Sequence, residues 1–285
     1  MPLKTGAAFV NIMRPINCVM MGLAVIVGGV IASGTLHISI SLLLGSFTGF
    51  FLAGVINILN DINDLELDRI NRPERPLPSG ALKVRAAAMW TSVLLMLGLS
   101  TAALISAICF IVAALAALLG GLYNRFIKRT GLPGNIVVAM IVALPFLYGW
   151  LASGGGGGPL LWLFSLTAFC AILGREILKG MADVEGDSRS GIRTVAVTRG
   201  LRAAAFAAIG LFVLAILLSF LPLLMELVSL LYLPLVIPTD IGFLYSSARI
   251  WKGPSPRTAY LEKRRALVWM TLALFAFMIG GVRLV

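Results

Sequence analysis

Charged residues are scarce in this chain. Only 12% of its 285 residues are Asp, Glu, Lys or Arg, whereas 59% are hydrophobic, and the mean hydropathy is +0.99. A soluble domain carries charge on about a quarter of its residues. The scarcity therefore excludes a soluble domain of any size. It predicts an all-α protein whose helices span a bilayer many times.

Histidine and cysteine are nearly absent as well. His37 is the sole histidine, and Cys18, Cys109 and Cys170 lie singly in apolar segments without a C-x-x-C spacing. This excludes zinc and other soft-metal sites, so any bound metal must take oxygen ligands. The net charge of +11 is expected to face anionic lipid headgroups rather than nucleic acid, and no protein partner is indicated.

Long stretches without Lys or Arg predict the number of transmembrane helices. Four of them are each about twice as long as the roughly 20 residues that one span needs, so each predicts a helical hairpin. A fifth stretch, 266–282, has room for one span. The four hairpin stretches are residues 15–60, 86–124, 130–174 and 203–248. The prediction is a polytopic membrane protein of nine transmembrane helices.

The distribution of basic residues predicts the orientation of these helices. All Lys and Arg except Arg283 fall at the N-terminus or at the bases of the hairpins. Cytoplasmic loops carry the excess of Lys and Arg in membrane proteins. We therefore expect a multi-pass protein of the cell membrane with its N-terminus in the cytoplasm and its C-terminus outside.

The acidic residues are concentrated in two places. Nine of the twelve lie near residues 61–74 or 176–187. We define the first aspartate segment as residues 60–68 and the second as residues 183–187. Asn60, Asp64 and Asp68 are four residues apart, as are Asp183 and Asp187, and this interval places each set on one helix face. Solvated loop charges would explain one such cluster, but not two with the same interval.

Carboxylates at this spacing repel each other, so a counter-ion is expected. Oxygen ligands of this kind suit Mg²⁺ or Mn²⁺, and Mg²⁺ characteristically completes its shell with substrate phosphates. The candidate metal ligands are Asn60, Asp64, Asp68, Asp183 and Asp187.

The two segments are related by a constant offset, since Asp64 precedes Asp183 by as many residues as Asp68 precedes Asp187. This predicts one domain, 1–285, that contains two four-helix pseudo-repeats, about 10–130 and 131–250, and a ninth helix at about 264–283. The repeat would bring both segments to the mouth of one central cavity.

Cations flank both segments. Carboxylate-bound metals together with Lys and Arg are what a diphosphate leaving group requires, because they neutralise the charge that develops on it. Lys128 and Lys179 are the strongest candidates for direct contact, followed by Arg14. The other flanking cations are Arg69, Arg72, Arg75, Arg125, Arg129 and Arg175.

These motifs resemble those of the UbiA-type intramembrane prenyltransferases. Residues 60–76 are similar to the first aspartate motif of that family, and residues 183–187 to its second, D-x-x-x-D motif. Tyr123 and Lys128 resemble its Y-x-x-x-K element, with one more residue between them. The resemblance covers the whole chain in helix number, motif order and spacing.

The resemblance implies nine helices around a cavity open to lipid, and transfer of a prenyl group from a Mg²⁺-bound prenyl diphosphate. It implies that Asn60 and Asp64 bind one Mg²⁺ and that Asp183 and Asp187 bind a second, with Asp68 nearby. It makes Asp64, Asp68, Asp183 and Asp187 the catalytic residues, and it implies contacts to substrate from Arg14, Asn60, Arg72, Tyr123, Lys128 and Lys179.

Residues 175–187 most resemble the archaeal branch of the family, which makes digeranylgeranylglyceryl phosphate, an ether-lipid precursor. The implied acceptor is the hydroxyl of geranylgeranylglyceryl phosphate, whose proton would pass to Asp68 or to the departing diphosphate. An aromatic acceptor such as 4-hydroxybenzoate stays open, because the metal motifs identify only the donor.

Two other classes of membrane protein are alternatives. A secondary transporter also has internal repeats and buried carboxylates, although these usually lie near mid-membrane. A CDP-alcohol phosphotransferase is disfavoured, because its D-G-x-x-A-R signature is absent. Asp240, predicted to lie inside the eighth span, either lines the cavity or makes a structural hydrogen bond.

Overall fold

The computed structural model describes residues 5–156 and 158–282, and all regular secondary structure in these two ranges is helical. Three short helices are α1 (Thr5–Met13), α4 (Leu65–Asn71) and α9 (Val184–Arg189). The nine long helices are α2 (Pro15–Ser33), α3 (Ile40–Asn63), α5 (Val84–Ala103), α6 (Ala107–Arg125), α7 (Leu132–Ala152), α8 (Gly158–Ala182), α10 (Val195–Leu224), α11 (Leu233–Lys252) and α12 (Pro256–Gly280). One-turn 3₁₀ helices at Ile127–Thr130 and Leu230–Tyr232 precede α7 and α11.

The long helices form a multi-pass membrane protein. Eight of them, α2 to α11 without the two short ones, are long and apolar enough to cross a bilayer. The ninth, α12, has 25 residues but begins with a charged segment. Among the described residues, eight helices thus match predicted spans and α12 is the ninth long helix, which confirms the predicted all-α membrane fold.

Helix α12 begins at Pro256, before the span predicted near residue 264. The Ser255 hydroxyl accepts a hydrogen bond from the backbone N–H of Thr258 at 3.1 Å, which caps the first turn. Proline is well tolerated in the first turn of a helix. The charged residues that follow therefore continue the helix instead of forming a loop. Arg283, the one basic residue that is not predicted at the N-terminus or at a hairpin base, lies outside the described residues.

Each aspartate segment contains a helix break. Helix α3 gives way to α4 at Asp64, whose φ and ψ are −93° and 6°, and α8 gives way to α9 at Asp183, with −103° and 13°. Backbone hydrogen bonds of the i to i+4 type continue on both sides of each break. The N–H of Asp64 donates to Asn60 O at 2.9 Å and that of Asp68 to Asp64 O at 2.8 Å, and Asp183 and Asp187 make the equivalent bonds at 3.0 and 2.9 Å. Each segment thus bends without losing its helical spacing. The equivalent breaks agree with the pseudo-repeat, which stays a prediction.

Glycines allow α2 and α7 to pack backbone against backbone. A Cβ atom on Gly28 would lie 2.0 Å from the carbonyl oxygen of Phe146, and one on Gly149 would lie 1.9 Å from that of Val25. Any side chain there would collide with the main chain of the other helix. Small residues at such crossings favour helix association in membranes, because packing replaces the hydrophobic effect there.

The polar connections gather at one end of the helix bundle. Contacts join the start of α2 to the end of α3, the 3₁₀ turn after α6 to the first aspartate segment, and the end of α8 to α12. Both aspartate segments and the cations around them therefore meet at this end.

Candidate functional site

A polar cavity of about 500 Å³ opens at the charged end of the helix bundle. The two aspartate segments lie on its walls. All ten predicted site residues line it: Arg14, Asn60, Asp64, Asp68, Arg72, Tyr123, Lys128, Lys179, Asp183 and Asp187. Residues more than a hundred positions apart in the sequence thus share one cavity, which we call the polar cavity.

Asp64 is held by an amide and an ammonium group. Asn60, one turn earlier on α3, donates a hydrogen bond from Nδ2 to Asp64 Oδ2 at 2.6 Å. Lys128, in the 3₁₀ turn after α6, donates to the same oxygen. Burial lowers the pKa of Lys128, and the Asp64 carboxylate opposes that shift. The anion beside Lys128 therefore favours its charged form.

Asp68 and Asp61 share one arginine. Nη1 of Arg75 donates to Asp68 Oδ2 at 2.5 Å and to Asp61 Oδ1 at 3.3 Å. Asp61 is 4% exposed and also accepts a hydrogen bond from Arg14. Arg14 has a left-handed backbone, with φ of 56°, at the junction of α1 and α2. Asp61 thus anchors the two arginines from behind the cavity wall.

The three arginines that follow the first aspartate segment differ in what they contact. Arg69 pairs with Glu66 on the exposed side of α4, at 2.8 Å. Arg72 lines the polar cavity, and Arg75 both lines it and bridges two aspartates. The family resemblance singled out Arg72, but nothing in the sequence showed that Arg75 also lines the cavity or that Arg69 pairs with Glu66 outside it.

The second aspartate segment is less fully paired. Lys263 on α12 lies 3.6 Å from Asp183 Oδ1. Burial and the neighbouring Asp183 carboxylate raise the pKa of Asp187 to about 6, while Lys179 and Lys128 act in the opposite direction. Lys179 itself lies 3.3 Å from the buried Glu176. Asp187 is therefore less well compensated by positive charge than Asp64 and Asp68, which accept hydrogen bonds from Lys128 and Arg75, as expected where a cation binds.

The oxygen donors of the polar cavity fit a hard divalent cation. Within residues 5–156 and 158–282, no three His, Cys, Asp or Glu side chains converge into a complete metal shell. Asn60 and Asp64 provide one small donor set, and Asp183 and Asp187 a second. Mg²⁺ is usually held by one or two carboxylates, with waters and substrate phosphates completing its octahedron. Two incomplete donor sets fit that requirement.

An apolar cavity lies deeper in the bundle, between α2, α7, α8, α10, α11 and α12. Its wall on α8 includes Thr167, which precedes Asp183 by roughly four turns, or about 24 Å of helix. Asp240 lies on its wall, and Ser219 donates a hydrogen bond to Asp240 Oδ2 at 2.8 Å. Both interpretations of Asp240 therefore hold: it lines a cavity and it joins α10 to α11.

Comparison with known proteins settles the family. The sequence profile described as the UbiA prenyltransferase family matches residues 21–272. This chain belongs to the UbiA prenyltransferase family. It is an intramembrane prenyltransferase, and the transporter alternative falls with that assignment.

Archaeal members of the UbiA family resemble the chain over nearly its whole length. Digeranylgeranylglyceryl phosphate synthase of Methanocaldococcus jannaschii is 34% identical, over 97% of this chain and 96% of that protein. The enzyme of the same name from Methanopyrus kandleri is 38% identical, over 95% and 98%.

Solved structures of UbiA proteins share the fold. One described as digeranylgeranylglyceryl phosphate synthase in membranes is 33% identical, with a TM-score of 0.77 over 99% of this chain and 100% of that chain. A UbiA homologue from Archaeoglobus fulgidus, bound to GPP and Mg²⁺, is 22% identical, with a TM-score of 0.70 over 95% and 99%.

Several residues of this UbiA cavity escaped the sequence analysis. Glu176 belongs to the second acidic cluster, and its proximity to Lys179 in sequence was a usable signal. Asn135, Thr194 and Tyr260 also line the cavity, but each lies in a segment without a motif. Nothing in the local sequence distinguishes them from other polar residues at helix ends.

Proposed function

We propose that this protein transfers a geranylgeranyl group from geranylgeranyl diphosphate to the hydroxyl of geranylgeranylglyceryl phosphate, in archaeal ether-lipid biosynthesis. The observation that carries the proposal is the pair of facing aspartate segments at the mouth of a polar cavity, with an apolar cavity deeper in the bundle. Full-length similarity to archaeal digeranylgeranylglyceryl phosphate synthases supports this choice of reaction.

The metal sites follow from the donor sets. Asn60 and Asp64 would hold one Mg²⁺, and Asp183 and Asp187 a second, with Asp68 beside them. Mn²⁺ suits the same oxygen ligands. The bound metal would neutralise the charge that develops on the diphosphate as it leaves.

The remaining cations position the donor. Lys128 and Lys179 would bind the outer oxygens of the diphosphate, assisted by Arg14 and Arg72, and Tyr123 also lines the cavity. The prenyl chain would extend into the apolar cavity, where each buried CH₂ contributes about 0.8 kcal/mol. The polar cavity thus matches the diphosphate of the amphiphilic donor, and the apolar cavity matches its prenyl chain.

The reaction exchanges one C–O bond for another. The bond from C1 of the prenyl chain to the diphosphate breaks, and C1 bonds to the acceptor hydroxyl oxygen. The hydroxyl proton passes to Asp68 or to the departing diphosphate. Because the helix bundle surrounds the apolar part of the site, it would protect the allylic carbon from water.

A product assay tests this function. Purified protein with Mg²⁺ and radiolabelled geranylgeranyl diphosphate is offered equal amounts of geranylgeranylglyceryl phosphate and 4-hydroxybenzoate. Label in the glycerol phosphate lipid is the expected result. Label only in the benzoate would replace the proposed acceptor with an aromatic one. Turnover at the same rate after removal of Mg²⁺ with a chelator would refute the metal sites.

We also propose that the polar cavity and the N-terminus face the cytoplasm, and that the C-terminus lies outside. The basic residues around the cavity support this orientation. A cysteine introduced at the exposed Lys252, in a variant whose native cysteines are replaced, should react with a membrane-impermeant maleimide only after cells are permeabilised. Labelling of intact cells would reverse the orientation.

A further inference from the structure

A buried ammonium group lies beside the polar cavity and belongs to neither aspartate segment. Lys263, on α12, has a side chain that is only 10% exposed. The carboxylate beside it is Asp183, 3.6 Å away, which is too far for a hydrogen bond. A largely buried charge that is held only by this long ion pair is costly, so the position suits an additional anion.

The first turns of α12 place Lys263 next to residues that line the cavity. Pro256, Tyr260 and Lys263 are spaced four and three residues apart, which places them on one helix face. Pro256 and Tyr260 line the polar cavity, and Lys263 Nζ lies 5.2 Å from the centre of the Tyr260 ring. Lys263 therefore sits at the edge of the cavity next to Asp183, on the wall that α12 forms.

The charges of the cavity explain why another cation is needed. The lining side chains comprise five Lys or Arg and six Asp or Glu, and Lys263 is not among them. Two divalent cations and a diphosphate of charge about −3 would bring this set close to neutrality. A phosphorylated acceptor adds a charge of about −1.5 to −2 at pH 7. The charged residues that line the polar cavity therefore leave the negative charge of the acceptor phosphate without a compensating cation.

A metal at the second aspartate segment would also compete for the carboxylate that Lys263 faces. Asp183 is a ligand in the proposed metal site, and its charge would then be shared with the metal. The ammonium group of Lys263 would be left to interact with an anion from the substrate.

We propose that Lys263, with Tyr260 packed beside it, binds the phosphate group of the acceptor and so selects a phosphorylated lipid over a neutral one. This rests on the proposed function, because it assumes that the acceptor is geranylgeranylglyceryl phosphate. Lys263 is then a specificity residue on α12, separate from the cations that hold the diphosphate.

Kinetics with two acceptors test the assignment. In Lys263→Gln, the KM for geranylgeranylglyceryl phosphate should rise roughly 10- to 100-fold, as expected for loss of a charge-assisted hydrogen bond. The donor KM and the kcat at saturating acceptor should stay within about twofold of wild type. With neutral geranylgeranylglycerol as acceptor, variant and wild type should behave alike.

Three further variants control the experiment. Lys263→Arg keeps the charge and should restore most of the acceptor affinity. Lys252→Gln removes an exposed lysine at the same end of the bundle and should change neither KM. Tyr260→Glu places a carboxylate beside Lys263 at a half-exposed position and should reproduce the acceptor-specific effect if Lys263→Gln cannot be purified.

Binding without turnover provides an independent readout. Isothermal titration of geranylgeranylglyceryl phosphate into protein with Mg²⁺ and inorganic pyrophosphate should show weaker binding by Lys263→Gln and normal binding by Lys252→Gln. If wild type does not use geranylgeranylglyceryl phosphate, the proposed function fails. If wild type uses it but the variants retain normal acceptor KM, or raise the donor KM instead, only the role of Lys263 is overturned.

Discussion

Replacing Asp64 with Asn removes one charge from the candidate metal site while leaving its size almost unchanged. The Asp64 side chain is 21% exposed, and it accepts hydrogen bonds from Asn60 and Lys128. In the metal-free protein, the change removes the anion beside Lys128. A hydrogen bond to a charged group contributes about 1.5–3 kcal/mol, and partial exposure reduces this to about 1 kcal/mol here. The free energy of unfolding should therefore fall only slightly.

The same substitution should abolish the response to ligand. A ligand at about 100 times its Kd stabilises the folded protein by about 2.7 kcal/mol, which corresponds to a Tm rise of roughly 5–10 °C. Wild type with Mg²⁺ and geranylgeranyl thiodiphosphate should show this rise. Asp64→Asn should lack it, while its own Tm without ligand stays within about 4 °C of wild type.

Turnover by Asp64→Asn should also fall. A metal contributes several kcal/mol to stabilising charge in the transition state, so losing part of one site should lower kcat on the order of 10²- to 10³-fold. Differential scanning fluorimetry in detergent and the radiolabelled product assay measure both effects. Glu226→Gln, an exposed residue outside the cavity, is the control and should match wild type. An Asp64→Asn protein with a full ligand-induced Tm rise and normal turnover would refute the metal site.

Three other predictions concern Asp61, Asp187 and the packing of α2 against α7. Asp61→Ala should lower the free energy of unfolding by about 2–3 kcal/mol, because Arg14 and Arg75 lose a buried partner. The variant should keep the ligand-induced Tm rise, and an unchanged Tm without ligand would argue against a structural role for Asp61. Because the pKa of Asp187 is raised to about 6, Mg²⁺ affinity, followed by Tm, should fall roughly tenfold from pH 7 to pH 5; an affinity independent of pH would contradict this. The metal-free protein should respond to pH with the opposite sign. Between the ordinary pKa of an aspartate and about 6 the folded state holds the extra proton, so this group lowers the stability of the metal-free protein as pH rises. Gly149→Ala should cost about 1–3 kcal/mol by forcing α2 from α7, whereas Gly121→Ala, with no atom within 4 Å of its Cβ, should be neutral in the same melts.

The membrane class, the number of long helices and the two aspartate segments were all predictable from the sequence. These features depend on composition and on spacing within one helix, which are local properties. A lack of charge over about 20 residues predicts a span whatever its neighbours are. The four-residue interval of Asp64 and Asp68 likewise predicts a shared face, and the helix break at Asp64 does not disturb it.

Which of the neighbouring charged residues line the cavity, and which are buried in ion pairs behind it, was decided by the tertiary structure. Asp61 and Asp64 are three residues apart, yet one is buried against two arginines and the other lines the cavity. Lys263 has no motif, and its relation to Asp183 depends on how α12 packs beside the end of α8. Which charge faces substrate and which supports the wall depends on helices that are distant in sequence. Spacing along one helix could place these residues on a face, but only the packing of the other helices determined what that face meets.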